Sequence, residues 1–208
     1  MRSYGQLCAV AKALDVVGDR WTLLVVRELL LRGPCRYTDI RDGLPGVATN
    51  LLAERLRDLE AAGLVEREDA PPPVATTLYR LTPRGEALKP ALYELGRWGT
   101  ALVPDAPDDD AFRGHWLAFP AETLLTDRTP DRPPVTVQVR SGDQSAVLET
   151  ADGAVRVRPG VAEAPDASID GPPKPVVGLL VGALDVDEAR ERGVRLEGDA
   201  AVLARLRP

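Results

Sequence analysis

The stretch from Leu44 to Gly63 constrains the fold of this chain more than any other. Leu44-Pro45-Gly46 is a turn signal. The helix it feeds, from Ala48 to Ala62, carries Ala48, Leu52, Leu56 and Leu59 on one side and Asn50, Glu54, Arg57 and Ala61 on the other. One side must pack and the other is free, and Gly63 ends the helix. A helix that enters from a tight turn, packs by one face and exposes Thr49 and Asn50 in its first turn has the form of a DNA-reading helix.

The neighbouring segments fit that form. Gln6 to Val17 is apolar at helical spacing and stops at Gly18. Asp19 is expected to cap a second helix, with Trp21, Leu24 and Val25 on one face, that ends at Gly33-Pro34. A short helix from Tyr37 to Asp42 precedes the turn. After Gly63, Leu64 to Arg67 and Thr77 to Leu81 alternate as two strands of a hairpin with a proline-rich tip, Ala70 to Thr76. Thr82-Pro83 is an N-cap followed by proline at the first helical position. The helix it starts carries a seam of Leu88, Leu92, Leu95, Trp98 and Leu102, with a kink expected at Pro90. The order is that of a winged helix-turn-helix, mainly α with a two-stranded wing.

A net charge of -6 sits oddly with nucleic acid until it is divided along the chain. Residues 1–103 hold 14 Lys+Arg against 13 Asp+Glu, whereas residues 104–208 hold 12 against 19, so the acidity belongs to the second half. Phosphate contacts need a local basic face and not a basic chain. The proline and acid run from Val103 to Asp110 marks a boundary. The expected organisation is a DNA-binding and dimerisation domain over 1–103, a linker over 104–112 and a second domain over 113–208.

The segments Gly18-Asp19-Arg20-Trp21-Thr22, Arg36-Tyr37-Thr38-Asp39-Ile40, Leu44 to Leu52, Arg55 to Val65 and Tyr79 to Gly85 resemble the HxlR family of bacterial transcriptional regulators, in order and at the family's spacing. The resemblance implies a homodimeric winged-helix regulator in which the N-terminal helix and the helix after the wing build the dimer. The Leu88 to Leu102 seam agrees, being more apolar than a lone surface helix requires. A symmetric dimer would set two reading helices roughly 34 Å apart, on double-stranded DNA with a palindromic operator.

Thr49 and Asn50 either reach base edges, where Asn50 could pair with adenine, or cap their helix, since Ala48 stands where many family members have a capping Ser. Glu54 and Arg57 lie further along the same outward face. Arg55, on the flank, is a phosphate clamp or an internal ion pair. Arg36 and Tyr37 begin the preceding helix, placed for phosphate contact, with core packing the other reading for Tyr37. The wing tip Pro71-Pro72-Pro73-Val74-Ala75 lacks the basic residue common in family wings, which leaves Arg67 and Arg80 on the ribbon as backbone contacts. Cys8 occupies the position that some relatives of the family use to sense oxidants or electrophiles; the other reading is a buried thiol packing the first helix.

The second half reads as α+β. Strands are expected at Val135–Arg140, Ser145–Thr150, Ala154–Arg158, Ala167–Asp170 and Val194–Gly198, with a tight Asp152-Gly153 turn and helices from Lys174, Asp187 and Asp199. The run from Ser168 to Leu206 resembles the sterol-carrier-protein-2-like fold, which implies a sheet and helices enclosing a site for a hydrophobic small-molecule effector. Trp116, Phe119, Leu124, Leu125, Val177, Leu180 and Val181 either line that site or fill a dry core.

Catalysis and metal binding find no support: His115 lacks a triad or zinc partner pattern, Cys35 has no companion at metal spacing, and no Gly-rich loop follows a strand. No cofactor is expected. Two cysteines do not make a disulfide framework, and no signal peptide or membrane-spanning stretch is seen, so a cytoplasmic location with no membrane partner is expected. The reading is a DNA-binding regulator responsive to an apolar effector. Its alternatives are a lipid or hydrophobic-metabolite carrier that dimerises through the winged helix, and a thiol-based repressor acting through Cys8.

Overall fold

Leu52, Leu56 and Leu59 recur at three- and four-residue spacing and are each at most 1% exposed, so the helix carrying them is held by that side. The computed structural model describes residues 3–70 and 76–207. The chain divides into two compact units, residues 1–92 and 93–208. The wing tip Pro71–Ala75 lies outside the described residues.

The first unit runs α1 (Ala9–Val17), α2 (Thr22–Arg32), β1 (Cys35–Arg36), α3 (Tyr37–Asp42), α4 (Thr49–Ala61), β2 (Val65–Asp69), β3 (Thr77–Leu81), α5 (Pro83–Glu86) and the start of α6 (Lys89–Gly99). Its core joins Val25, Val26 and Leu29 of α2 to Ile40 of α3, Leu44 of the turn and the leucines of α4. The wing hairpin pairs Val65 with Leu81, Arg67 with Tyr79 and Asp69 with Thr77.

Four expectations change here. α1 begins at Ala9, because Cys8 is extended and serves as its N-cap. Asp19 does not cap α2: the cap position is Trp21, in the left-handed region at φ 77°, and the Asp19 carboxylate instead accepts from Arg55. The buried face of α2 carries Thr22, Val25, Val26 and Leu29, and Leu24, expected beside Val25, is 39% exposed. The two-stranded wing gains a third strand, β1, on the free edge of β3, with Cys35 opposite Tyr79. The helix after the wing is interrupted at Ala87-Leu88 and not kinked at Pro90, which sits in the first turn of α6, where its missing N–H costs nothing.

The second unit continues with a 3-10 turn (Thr100–Asp105), a second 3-10 turn (Gly114–Leu117), α7 (Ala118–Leu124), β4 (Thr126–Asp127), β5 (Thr136–Ser141), β6 (Gln144–Ala151), β7 (Ala154–Pro159), β8 (Ala167–Asp170), α8 (Pro173–Leu180), α9 (Val186–Glu191), β9 (Arg195–Gly198), α10 (Ala200–Arg205) and β10 (Leu206–Arg207). The strands form one sheet in the order β10-β4-β7-β6-β5-β8-β9, antiparallel except for β5 beside β8. Asp152 and Gly153 both take positive φ, 52° and 79°, which is the type I′ geometry of a two-residue hairpin.

Val137, Val139, Leu148, Val155 and Ile169 point from the sheet into a single apolar core closed by Ala121 of α7, Val176 and Leu180 of α8, Ala189 of α9 and Val202 of α10. One buried ion pair ties the end of α10 to β4: Arg205 Nη2 donates to Asp127 Oδ2 at 2.7 Å, and Nη1 to the Pro133 carbonyl at 2.7 Å. Among the described residues no helix is long and apolar enough to cross a membrane.

Candidate nucleic-acid interface

α4 presents Thr49, Asn50, Glu54 and Arg57 to solvent along one side. Its N-cap, Ala48, is extended and offers no side-chain acceptor, so the first-turn N–H groups have no side-chain cap. Among the described residues neither the Thr49 nor the Asn50 side chain makes a hydrogen bond. Both are exposed where a helix entering the major groove by its N-terminus needs them.

Two contacts hold this helix to the elements before it. The Tyr37 hydroxyl donates to the Thr49 backbone carbonyl at 2.7 Å, joining the first residues of α3 and α4. Tyr37 is half-buried, so its body packs while its tip holds the start of α4. Between the two helices, Gly43 allows close approach: a Cβ there would stand 1.9 Å from Glu28 Oε2. Glu28 is wholly buried, and Arg27 covers it, donating to Oε1 at 2.8 Å and to the Gly43 carbonyl at 3.3 Å. Glu28 and Gly43 escape the candidate set read from sequence. A carboxylate three residues after Val25 in the apolar stripe of α2 was the available signal.

The five arginines of the candidate set separate by environment. Arg36 and Arg57 are exposed and hold no ion pair among the described residues. Arg67 pairs with Glu60, and Arg80 with Glu66 at 2.9 Å and Glu68 at 3.3 Å. In each pair the arginine is about half exposed, and the Arg80 pairs, exposed on both sides, are exchangeable for phosphate at little cost, since such pairs are worth about 0–1 kcal/mol.

Arg55 differs from the other four in its burial. Its side chain is 10% exposed and engaged by Asp19, by Glu54 at 2.6 Å and by Asp58 at 3.4 Å. Burial alone would pull its pKa down, and the hydrogen bond and charge of Asp19, with Asp58 and Glu54, leave it raised. Of its two sequence readings the structure takes the internal ion pair, which braces α4 against the segment before α2.

The two thiols differ. Cys8 is exposed, and backbone N–H groups of Ala11 and Val10 at the start of α1 lower its pKa. Cys35 is buried and donates to the Gly33 carbonyl at 3.2 Å, and burial pushes its pKa up to about 11.

The seven apolar residues named for an effector do not converge on one cavity. Leu180 lines a core cavity of about 140 Å³ beside Val137, Leu148 and Ile169. Val181 lines a separate outer cleft. Phe119 packs on Tyr93, with ring centroids 4.8 Å apart, and over Gly96. Leu125 and Val177 belong to the core, and Trp116 and Leu124 are half-buried. Among the described residues no group of three or more His, Cys, Asp or Glu could hold a metal ion.

Residues 16–106 match the sequence profile of the HxlR-like helix-turn-helix family. Over 92 residues the chain is 39% identical to the uncharacterized HTH-type transcriptional regulator YvaP of Bacillus subtilis (strain 168), covering 44% of this chain and 84% of that protein. It is 35% identical over 86 residues to the HTH-type transcriptional regulator YodB of the same organism, covering 41% of this chain and 76% of the relative. The solved structure of reduced YodB from B. subtilis is similar at 33% identity and a TM-score of 0.40, covering 45% of this chain and 92% of that one.

Proposed function

Because the chain belongs to the HxlR-like helix-turn-helix family and is a transcriptional regulator of that type, we propose that it acts in the cytoplasm as a homodimer on a palindromic operator. In this reading α4 reads bases through Asn50, Arg57, Thr49 and Glu54, while Arg36, Arg67 and Arg80 hold phosphates. The observation that carries it is the outward side of α4, where Thr49, Asn50 and Arg57 are exposed and uncommitted beside a helix start that Ala48 leaves uncapped.

Exposed apolar side chains support dimerisation. On α1 and the segment before it, Tyr4, Leu7, Val10 and Leu14 are 43–104% exposed. On α6 and the turn after it, Leu95, Trp98 and Leu102 are 50–70% exposed, while Leu92 alone of the α6 seam is buried. Apolar stripes of this kind on two helices suit a partner chain better than water. We read residues 113–208 as the effector domain of sterol-carrier-protein-2-like type, a reading supported by the helix-covered sheet. An effector regulates only if it binds two dimer geometries with different affinity.

Footprinting on the DNA upstream of the chain's own gene tests this reading. Two protected half-sites about one helical turn apart, with two chains per site by sedimentation, are expected. One protected half-site, or one chain per site, would refute the dimer.

A second reading is favoured by Cys8. An exposed thiol with a lowered pKa at the start of α1 is placed to react, and α1 carries part of the proposed dimer stripe, so its modification would act on DNA affinity through the dimer. Retention of the response to peroxide and quinone in Cys8→Ser would exclude it.

A further inference from the structure

α8 separates two spaces in the second unit. Leu179 and Leu180 line the 140 Å³ core cavity, whereas Lys174, Gly178 and Val181 line an outer cleft of about 590 Å³, with Leu184 standing between the two. The outer cleft falls within the size of small-molecule sites, roughly 300–1,000 Å³, and the core cavity falls below it. Pro104, Pro175, Val181 and Leu184 give the cleft aliphatic walls, and Leu184 packs on Gly178, where a Cβ would stand 3.0 Å from it.

Four charged side chains face this cleft: Asp108, Lys174, Glu188 and Arg192. Three are committed. Lys174 Nζ donates to the Ala106 carbonyl at 2.8 Å and to Asp108 Oδ1 at 3.1 Å. Glu188 accepts the Asp185 N–H at 2.9 Å and closes the capping box of α9. Arg192, at the end of α9, is exposed and holds no ion pair among the described residues.

We propose that this outer cleft binds a small monocarboxylate with an aliphatic body, its carboxylate on Arg192 and its chain along Pro104, Pro175, Val181 and Leu184. A planar guanidinium matches a carboxylate in bidentate geometry, and an aliphatic wall with one uncommitted cation at its rim is complementary to an amphipathic monoanion. The cleft includes Val103 and Pro104 of the 3-10 turn that also carries Leu102. A seated ligand therefore bears on the segment that ends the proposed dimer stripe. The proposal rests on the regulator reading only in treating the bound molecule as an effector.

Calorimetric titration of the full chain with octanoate, and with uncharged octanamide, tests it. Saturable binding of octanoate is expected, with octanamide weaker by about tenfold or more, the loss that follows removal of a charge-assisted hydrogen bond. Arg192→Gln should abolish that difference, and Ala183→Trp, at an exposed lining position, should block both ligands. Absence of saturable octanoate binding, equal affinity for octanamide, or binding untouched by both variants would overturn the site. Titration of operator DNA with and without octanoate then isolates the effector role: a shifted affinity supports it, and an unshifted affinity in a chain that binds octanoate overturns that role while the site stands.

Discussion

The Tyr37 hydroxyl and the Thr49 carbonyl are joined by a 2.7 Å hydrogen bond that fixes the start of α4 against the start of α3. Base readout requires side chains held to a fraction of an ångström, so this contact should matter to affinity more than to folding. Tyr37→Phe is expected to lower stability by about 0.5–1.5 kcal/mol in urea unfolding and to weaken operator binding in fluorescence anisotropy. Unchanged affinity would show that the bond does not position the reading helix.

Gly43 touches the buried Glu28 carboxylate too closely for any side chain. Gly43→Ala should destabilise the first unit by about 1–3 kcal/mol, the range for overpacking a filled site. Gly46→Ala would not be an equivalent control, since Gly46 has φ 84° and would add backbone strain. Urea midpoints at equal m-value settle the comparison.

The Asp127–Arg205 pair gives the second unit an acid limit. The Arg205 hydrogen bond, chiefly, holds the Asp127 carboxyl below its usual 3.8. A carboxyl depressed in the folded state contributes stability above its unfolded pKa and loses it as pH falls through the folded one. Thermal melts should therefore lose several degrees as pH falls below about 4. Arg205→Met should be less stable at neutral pH and should show a smaller loss in that acid window. An unchanged acid profile would mean that the pair does not carry it.

Alkylation separates the thiols. Native protein should modify at Cys8 first, with a rate midpoint below pH 9.0, because the α1 N–H groups favour the thiolate. Cys35, buried and raised to about 11, should react only on unfolding. Equal rates for both in the native state, read by peptide mass, would contradict the assignment.

What was legible in the sequence depended on locality. The reading helix, the β3 strand and the Thr82-Pro83 cap carry their signals within a few residues, and α3 and β3 fall where periodicity and turn residues put them. The Asp152-Gly153 hairpin is equally local. β1, β4 and β10 were not legible, because a two-residue strand has no alternation and exists only by pairing with a distant partner. An internal ion pair was one of the two readings for Arg55, but its partner Asp19 lies 36 residues away and spacing along α4 cannot reveal it. The seven apolar residues scatter for two reasons: α8 turns Leu180 to the core cavity and Val181 to the outer cleft, and Phe119 lies on α7, an element the pattern missed, where it packs on Tyr93 of α6.

Operator affinity of Asn50→Ala, Arg57→Ala tests base reading by α4 most directly, measured by anisotropy on the chain's own upstream DNA beside an unfolding curve. Both residues are exposed, so the unfolding midpoint should not move. Affinity should fall by about tenfold for each side chain removed, with discrimination against non-specific DNA falling in step. Wild-type affinity and specificity in the double variant would contradict base reading by this helix.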